Sequence, residues 1–214
     1  VIAKGMQNQT TFYVVRHGET EWNVQGLMQG HQDSPLTANG KQQIHDLAAE
    51  LKDIHFDHVF SSDLLRAKQT AEILAIQRQL AVNMTRLLRE RSFGKYEGRP
   101  RQEFEEENRE LIARYESLSG KEKIEFKYAD DMESSGEVAS RLLTFLRETA
   151  VAYSGKHILV VAHGGVLRVL LQHLGYKVKS GPGTIGNAAY IKLLSDGVEF
   201  AVEETKGIQL QESP

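Results

Sequence analysis

The chain has 214 residues, 40% of them hydrophobic and 26% charged, with 26 basic against 29 acidic side chains and a formal net charge of -3. That composition is ordinary for a globular protein and sufficient for one α/β domain. It excludes a general basic field for nucleic acid or an anionic membrane, so an anionic ligand has to be gripped by local cations.

The absence of cysteine excludes a disulfide framework, thiolate metal sites and a cysteine nucleophile. No run is long and apolar enough to span a membrane. The opening residues lack the apolar core of a signal peptide. Met6 reads as the natural start, residues 1–5 are set aside, and the cytoplasm is the expected compartment.

Residues 11–15 form a short β-branched and aromatic run ending in a polar cluster, as a buried strand does. A loop over 25–35, with two glycines and a proline, leads to a helix capped at Thr37 and running to about residue 52. Ile44, Leu47, Ala48 and Leu51 make one apolar stripe along it at helical spacing. Residues 58–61 read as a second strand and 63–76 as a second helix, with Leu64, Ala67, Ala71 and Leu74 inward; 80–84 read as a third strand. The stretch 99–131 is crowded with glutamates and carries a helix near 101–115. It is read as a lid inserted over one end of the sheet, against an equally weighted plain surface helix and loop. Ser135 is expected to cap a helix through about residue 153; 157–162 is the clearest strand, and 164–174 is helical again. Residues 188–194 and 198–203 flank Asp196-Gly197, a strong hairpin signal, and the tail from Lys206 reads as frayed. With no repeat and no clean linker, one domain is expected over 1–214. Strands alternating with helices predict a three-layer α/β fold, its mostly parallel central sheet closed by an antiparallel C-terminal hairpin.

Two strand ends share one grammar. The first ends in Arg16-His17-Gly18, and 157–162 ends in His163-Gly164-Gly165 with a helix following. Ligands in open α/β sheets bind outside the carboxyl ends of the strands, so two imidazoles can meet in one crevice. Glycine after each histidine is expected to let the backbone approach a ligand, and helix N-termini there offer N–H donors to an anion. Either histidine alone would read as a core histidine beside a turn; the matched pair reads as a site. Arg16 adjoins His17, Arg66 lies one turn into the second helix, and guanidinium forks grip phosphate in two-pronged fashion. A metal site is not expected, for want of His-Glu-x-x-His or clustered aspartates. His55 and His58 read as flanking a strand entry, and His31, His45 and His173 as surface or packing residues.

These segments resemble the histidine phosphatase superfamily, also called the phosphoglycerate mutase-like family. The resemblance rests on Arg16-His17-Gly18-Glu19-Thr20, then Asn23, Gln29-Gly30 and Asp33-Ser34-Pro35-Leu36-Thr37. It continues through Ser61-Ser62-Asp63-Leu64, Arg66-Ala67 and Gln69-Thr70-Ala71. Leu88-Arg89-Glu90-Arg91-Ser92-Phe93-Gly94 with Glu97-Gly98, and Val161-Ala162-His163-Gly164-Gly165, complete the set in family order across nearly the whole chain. One departure stands before the penultimate helix. Relatives carry Pro-x-Gly-Glu-Ser where this chain has Ser134-Ser135-Gly136-Glu137-Val138, which leaves that position a helix-capping role.

The resemblance implies that His17 is the nucleophile accepting the phosphoryl group, that Arg16, Arg66 and His163 bind and stabilise it, and that Glu90 is the general acid and then base. Asn23, Gln29 and the Gly164 N–H would line the phosphate pocket. Elementary chemistry agrees: in-line transfer to a neutral imidazole needs positioning and charge stabilisation, which two arginines and a protonated His163 can supply without a metal. Asp63 and Glu19 stand behind Glu90 as candidates for the acid.

The expected activity is phosphomonoester hydrolysis on a small phosphorylated metabolite, by a histidine acid-type phosphatase needing neither metal nor cofactor. The alternative is a phosphoglycerate mutase, which would need 2,3-bisphosphoglycerate, or a sugar-bisphosphate phosphatase. Arg89, Arg91, Lys95, Arg99 and Arg101 could contact a second phosphate, but 99–131 is more acidic than basic, whereas mutases of the family carry a longer basic lid. A catalytically dead binding module ranks last, because every catalytic residue type is present. The expected partner is the phosphate ester, with no nucleic acid or membrane, in a monomer or homodimer.

Overall fold

The β-branched centres of the first and fourth strands suit a sheet covered on both faces. The computed structural model describes residues 9–211; the reading of Met6 as a start lies outside them. The strands are β1 (Thr10–Arg16), β2 (His58–Ser62), β3 (Val82–Thr85), β4 (His157–Ala162), β5 (Ile185–Ser195) and β6 (Phe200–Ile208). They form one sheet in the order β3-β2-β4-β1-β5-β6. The first four run parallel, β5 pairs antiparallel with β1, and β6 antiparallel with β5.

Alternation along β1 builds the three layers. Phe12 and Val14 pack among Leu142 and Leu146 of α7 (Ser135–Ala152) and Val166 and Leu170 of α8 (Gly164–His173). Tyr13 and Val15 face the opposite way, onto Ile44 and Leu47 of α2 (Ala38–Glu50) and Ala67 and Ala71 of α3 (Leu65–Ile76). The predicted stripes on α2 and α3 are the faces these helices bury.

Several boundaries differ from expectation, each for a local reason. A short α1 (Glu21–Gln25) was not foreseen; Thr20 caps it through a reciprocal exchange with Asn23. Helix α3 starts at Leu65 rather than Asp63, because the Asp33 carboxylate accepts the N–H groups of Leu65 (2.7 Å) and Arg66 (3.4 Å). The single helix expected over 101–115 is two, α4 (Arg101–Glu107) and α5 (Arg109–Ser117). They break at Asn108, whose amide donates to the Tyr96 hydroxyl (2.8 Å) and the Phe104 carbonyl (2.9 Å). A further helix, α6 (Gly120–Glu125), follows. Ser134, not Ser135, caps α7: its hydroxyl accepts the Glu137 N–H at 3.1 Å while the Glu137 carboxylate accepts the Ser134 N–H at 2.8 Å. The tail from Lys206 is not frayed over its described length. Lys206 sits opposite Tyr190 within β6, and Leu210 bridges to Val178.

The stretch over 99–131 packs through a small cluster of its own, Met28, Tyr96, Phe104 and Met132, which ties it to the loop after α1. No helix among the described residues is long and apolar enough to cross a membrane.

Candidate active site

Parallel register sets the site. β1 and β4 are paired so that Arg16 lies opposite Ala162. The next residues are His17 and His163, and the His17 N–H donates to the Ala162 carbonyl at 3.1 Å. The two imidazoles therefore leave neighbouring strand ends at one level, with ring centroids 5.2 Å apart and planes at 60°. Both rings are buried.

The tautomer of His17 follows from its neighbour. Its Nδ1 lies 2.8 Å from the Gly18 carbonyl. A carbonyl can only accept, so Nδ1 donates and Nε2 keeps its lone pair. Burial first, then the charges of Arg66 and Arg16, hold the His17 pKa well below 6.5. Burial and the Arg66 charge do the same to His163. Burial by itself therefore works against the protonated form of His163. An arriving oxyanion would act in the opposite direction, favouring the protonated form.

Arg66 comes from the first turn of α3 and is fully buried. One arm of its fork donates to Gln32 O and Asp33 Oδ1, both at 2.7 Å, and the other to Gly30 O at 2.8 Å. It thereby shapes the loop that carries Gln29. Arg16 donates to the Ile185 carbonyl, and burial draws its pKa down to about 10, with Glu90 acting against and Arg66 with that shift. Both guanidiniums remain cationic near neutral pH.

Among the described residues, the buried side-chain polar atoms without a protein partner are Arg16 Nε, Arg66 Nε and both ring nitrogens of His163. A buried donor left unpaired costs about 1–3 kcal/mol. Here every such atom belongs to the residues around His17, so the fold concentrates unmet hydrogen-bonding capacity at one positively charged point.

Glu90 reaches the same point from the loop after β3. Its Oε1 accepts the Arg91 N–H at 2.8 Å and its Oε2 accepts the Gly165 N–H, at the start of α8, at 2.9 Å. The glycines after the histidines serve packing rather than ligand approach alone. A Cβ on Gly18 would stand 2.7 Å from Gly40 O of α2, one on Gly164 would stand 3.2 Å from Arg16 Nε, and one on Gly165 would stand 2.3 Å from Glu90 Oε1. The helix N-terminus expected to meet an anion thus already meets the protein's own carboxylate through Gly165.

The remaining expected residues are placed as follows. Asn23 spends its Oδ1 on the Thr20 N–H (3.1 Å) and on the Asn187 amide (3.2 Å), which leaves its Nδ2 as the donor for a ligand. Gln29 is buried and accepts from the Ser34 hydroxyl at 3.3 Å. Gly164 opens α8 beside Arg16. Asp63 is held by Arg89 in a two-pronged pair at 2.7 and 2.6 Å, which lowers its pKa, and Glu19 accepts from Thr37 at 2.7 Å. Among the described residues no three His, Cys, Asp or Glu side chains gather as a metal site.

Sequence reasoning missed Asn187. The register of β5 shifts between Ile185 and Tyr190, and Ala188 takes φ 57°, which a residue with a Cβ rarely adopts. In that turn Asn187 Nδ2 and the Ala188 N–H both reach the His17 carbonyl, each at 3.3 Å. A non-glycine in a left-handed conformation leaves no mark in the sequence. His31, read as surface or packing, stands against the loop of Glu90: its Nε2 is 2.9 Å from the Glu90 carbonyl.

Two buried imidazoles thus meet the buried guanidinium of Arg66 and the half-buried one of Arg16 at the carboxyl edge of a mostly parallel α/β sheet. The chain belongs to the histidine phosphatase superfamily (branch 1), whose sequence profile matches residues 12–206. It is similar to the uncharacterized phosphatase PhoE of Bacillus subtilis, 31% identical over 195 residues that make up 91% of each chain. It is also similar to the probable phosphoglycerate mutase GpmB of Escherichia coli, 36% identical over 163 residues, 74% of this chain and 72% of the relative. Among solved structures, Bacillus stearothermophilus YhfR superposes with a TM-score of 0.78 at 27% identity, covering 93% of this chain and 97% of that one.

Proposed function

We propose that the chain hydrolyses small phosphate monoesters through a phosphohistidine on His17. The observation that carries this reading is the convergence of unpaired donors from Arg16, Arg66 and His163 on the imidazole whose Nε2 lone pair is available. In the first step Nε2 forms a bond to phosphorus as the ester P–O bond breaks. The electron pair goes to the alcohol oxygen, which takes a proton from the Glu90 carboxyl. In the second step water attacks phosphorus, yields a proton to Glu90 and releases inorganic phosphate with His17 restored. The guanidiniums stabilise charge on the phosphoryl oxygens throughout, and Asn23, Gln29 and the Gly164 N–H line its pocket.

Hydrolysis is favoured over isomerisation by where the other cations are spent. Arg89 is paired with Asp63, Arg99 with Glu103 and Glu107, and Lys95 lies over the Tyr96 ring at 5.1 Å. Arg91 donates to the Ser135 hydroxyl. Of the five cations expected to meet a second phosphate, Arg101 alone has no such engagement. A second reading, an alcohol that carries another anion, is favoured by Arg101 and Arg168, whose charges both bear on Arg16.

A panel of phosphate monoesters, with released phosphate as readout, tests the hydrolase. Supplying 3-phosphoglycerate with catalytic 2,3-bisphosphoglycerate separates the alternatives. The expected result is phosphate release with little isomerisation; formation of 2-phosphoglycerate outpacing phosphate would establish the mutase instead.

A further inference from the structure

Glu90 lies in irregular chain between two short 3-10 turns, Arg86–Leu88 and Gly94–Tyr96. Backbone groups without a ladder must be satisfied some other way. Arg141, in the second turn of α7, does this from one side chain. Its Nη1 donates to the carbonyls of Leu87 (2.9 Å) and Arg89 (2.5 Å), and its Nη2 to that of Glu90 (3.0 Å). Its Nε and the second Nη2 hydrogen go to the two carboxylate oxygens of Glu133, at 2.9 and 3.0 Å. A guanidinium has five N–H donors, and all five are used here. Glu133 also accepts the Ser92 N–H at 2.8 Å, so the same ion pair grips the loop on both sides of the acid. His31 adds a second donor to the Glu90 carbonyl at 2.9 Å and lies 3.9 Å from Glu133. A carbonyl only accepts, so His31 Nε2 carries hydrogen.

None of these side chains needs to touch a phosphate to matter. A general acid works only within hydrogen-bond reach of the leaving oxygen, and a misplacement of about 1 Å can cost roughly 100-fold. We propose that Arg141, backed by Glu133 and His31, is the positioning device for Glu90, fixing the acid's main chain so that its carboxylate stands between the Arg91 and Gly165 N–H groups. This rests on the reading of Glu90 as the acid. A lysine would not replace Arg141, because three donors on a point charge cannot span three carbonyls and a carboxylate.

The test is a double-mutant cycle of Glu90→Gln and Arg141→Met. It is read in single-turnover phosphorylation of His17 by an alkyl phosphate and by p-nitrophenyl phosphate. An alkoxide needs the proton; nitrophenolate leaves without it. Arg141→Met should slow the step with the alkyl ester by ~10- to 100-fold, slow it far less with the nitrophenyl ester, and leave KM nearly unchanged. In the Glu90→Gln background the same substitution should add almost nothing, and Arg141→Lys should restore little. A merely structural role would lower both substrates alike and persist without Glu90; that result overturns the proposal. If Arg141→Met does not fold, His31→Ala goes through the same cycle with the same two outcomes. Equal slowing of both esters by Glu90→Gln itself would refute Glu90 as the acid, and the positioning role with it. Selective slowing by Glu90→Gln with additive effects would refute the positioning role alone.

Discussion

Two imidazoles are buried beside the guanidiniums of Arg16 and Arg66, and burial together with those charges disfavours their protonated forms. That has a measurable consequence for stability. The unfolded histidines titrate near 6.5, while burial holds both folded pKa values well below that. Below pH 6.5 the unfolded chain therefore binds more protons than the folded one, so the free energy of unfolding rises with pH in this window. The contribution is full above pH 6.5 and is lost as pH falls toward the folded values. Each ring can contribute a slope of up to about 1.4 kcal/mol per pH unit. Denaturant unfolding in phosphate-free buffer between pH 5 and 6.5 should show a shallower slope for His163→Asn than for the wild type. Parallel curves would mean the buried ring is already charged. At this scale the sequence was most legible where chemistry demands a residue type: His17, His163, Arg16, Arg66 and Glu90 all meet at one strand edge. It was least legible where a residue acts through main chain, as Asn187, His31 and Arg141 do, because a bond to a carbonyl asks only for some donor at the right place.

Helices and strands were legible where an apolar period or a strong turn marked them. The stripe on α2 and the Asp196-Gly197 turn left little freedom. Boundaries went astray where a cap came from elsewhere in the chain. Asp33 sits 32 residues before Leu65, whose N–H it accepts, and no local pattern around α3 announces that. The capping box of α7 was local, yet Ser134 and Ser135 are adjacent and only the bond to Glu137 distinguishes them. Ser134→Ala should therefore lower stability by about 1 kcal/mol, and Ser135→Ala should lack that capping loss because Ser135 serves Arg91 instead. Equal losses in urea midpoints would reassign the cap. The break at Asn108 was hidden because its cause, the buried Tyr96 hydroxyl, lies 12 residues away.

For the whole molecule, the balance of charge and the placement of charge tell different stories. The chain is net acidic, -3, yet its buried polar centre is cationic, which favours a small anion over an extended one. The alternation of strands and helices made the three-layer architecture legible, and the parallel register of β1 with β4 turns two distant His-Gly pairs into one site. The 99–131 stretch was legible as a distinct polar segment but not as three short helices on a small aromatic cluster, since its packing partners, such as Met28, come from another part of the chain.

The central claim is that His17 Nε2 takes the phosphoryl group. The direct measurement is rapid acid-free quenching of the enzyme with a 32P-labelled phosphate ester, followed by peptide mapping of the label. The account predicts label on His17 that is stable to alkali and labile to acid, formed and lost at rates compatible with turnover, and absent along with activity in His17→Ala. Turnover by His17→Ala at the wild-type rate, or label on a serine, threonine or carboxylate instead, would contradict it.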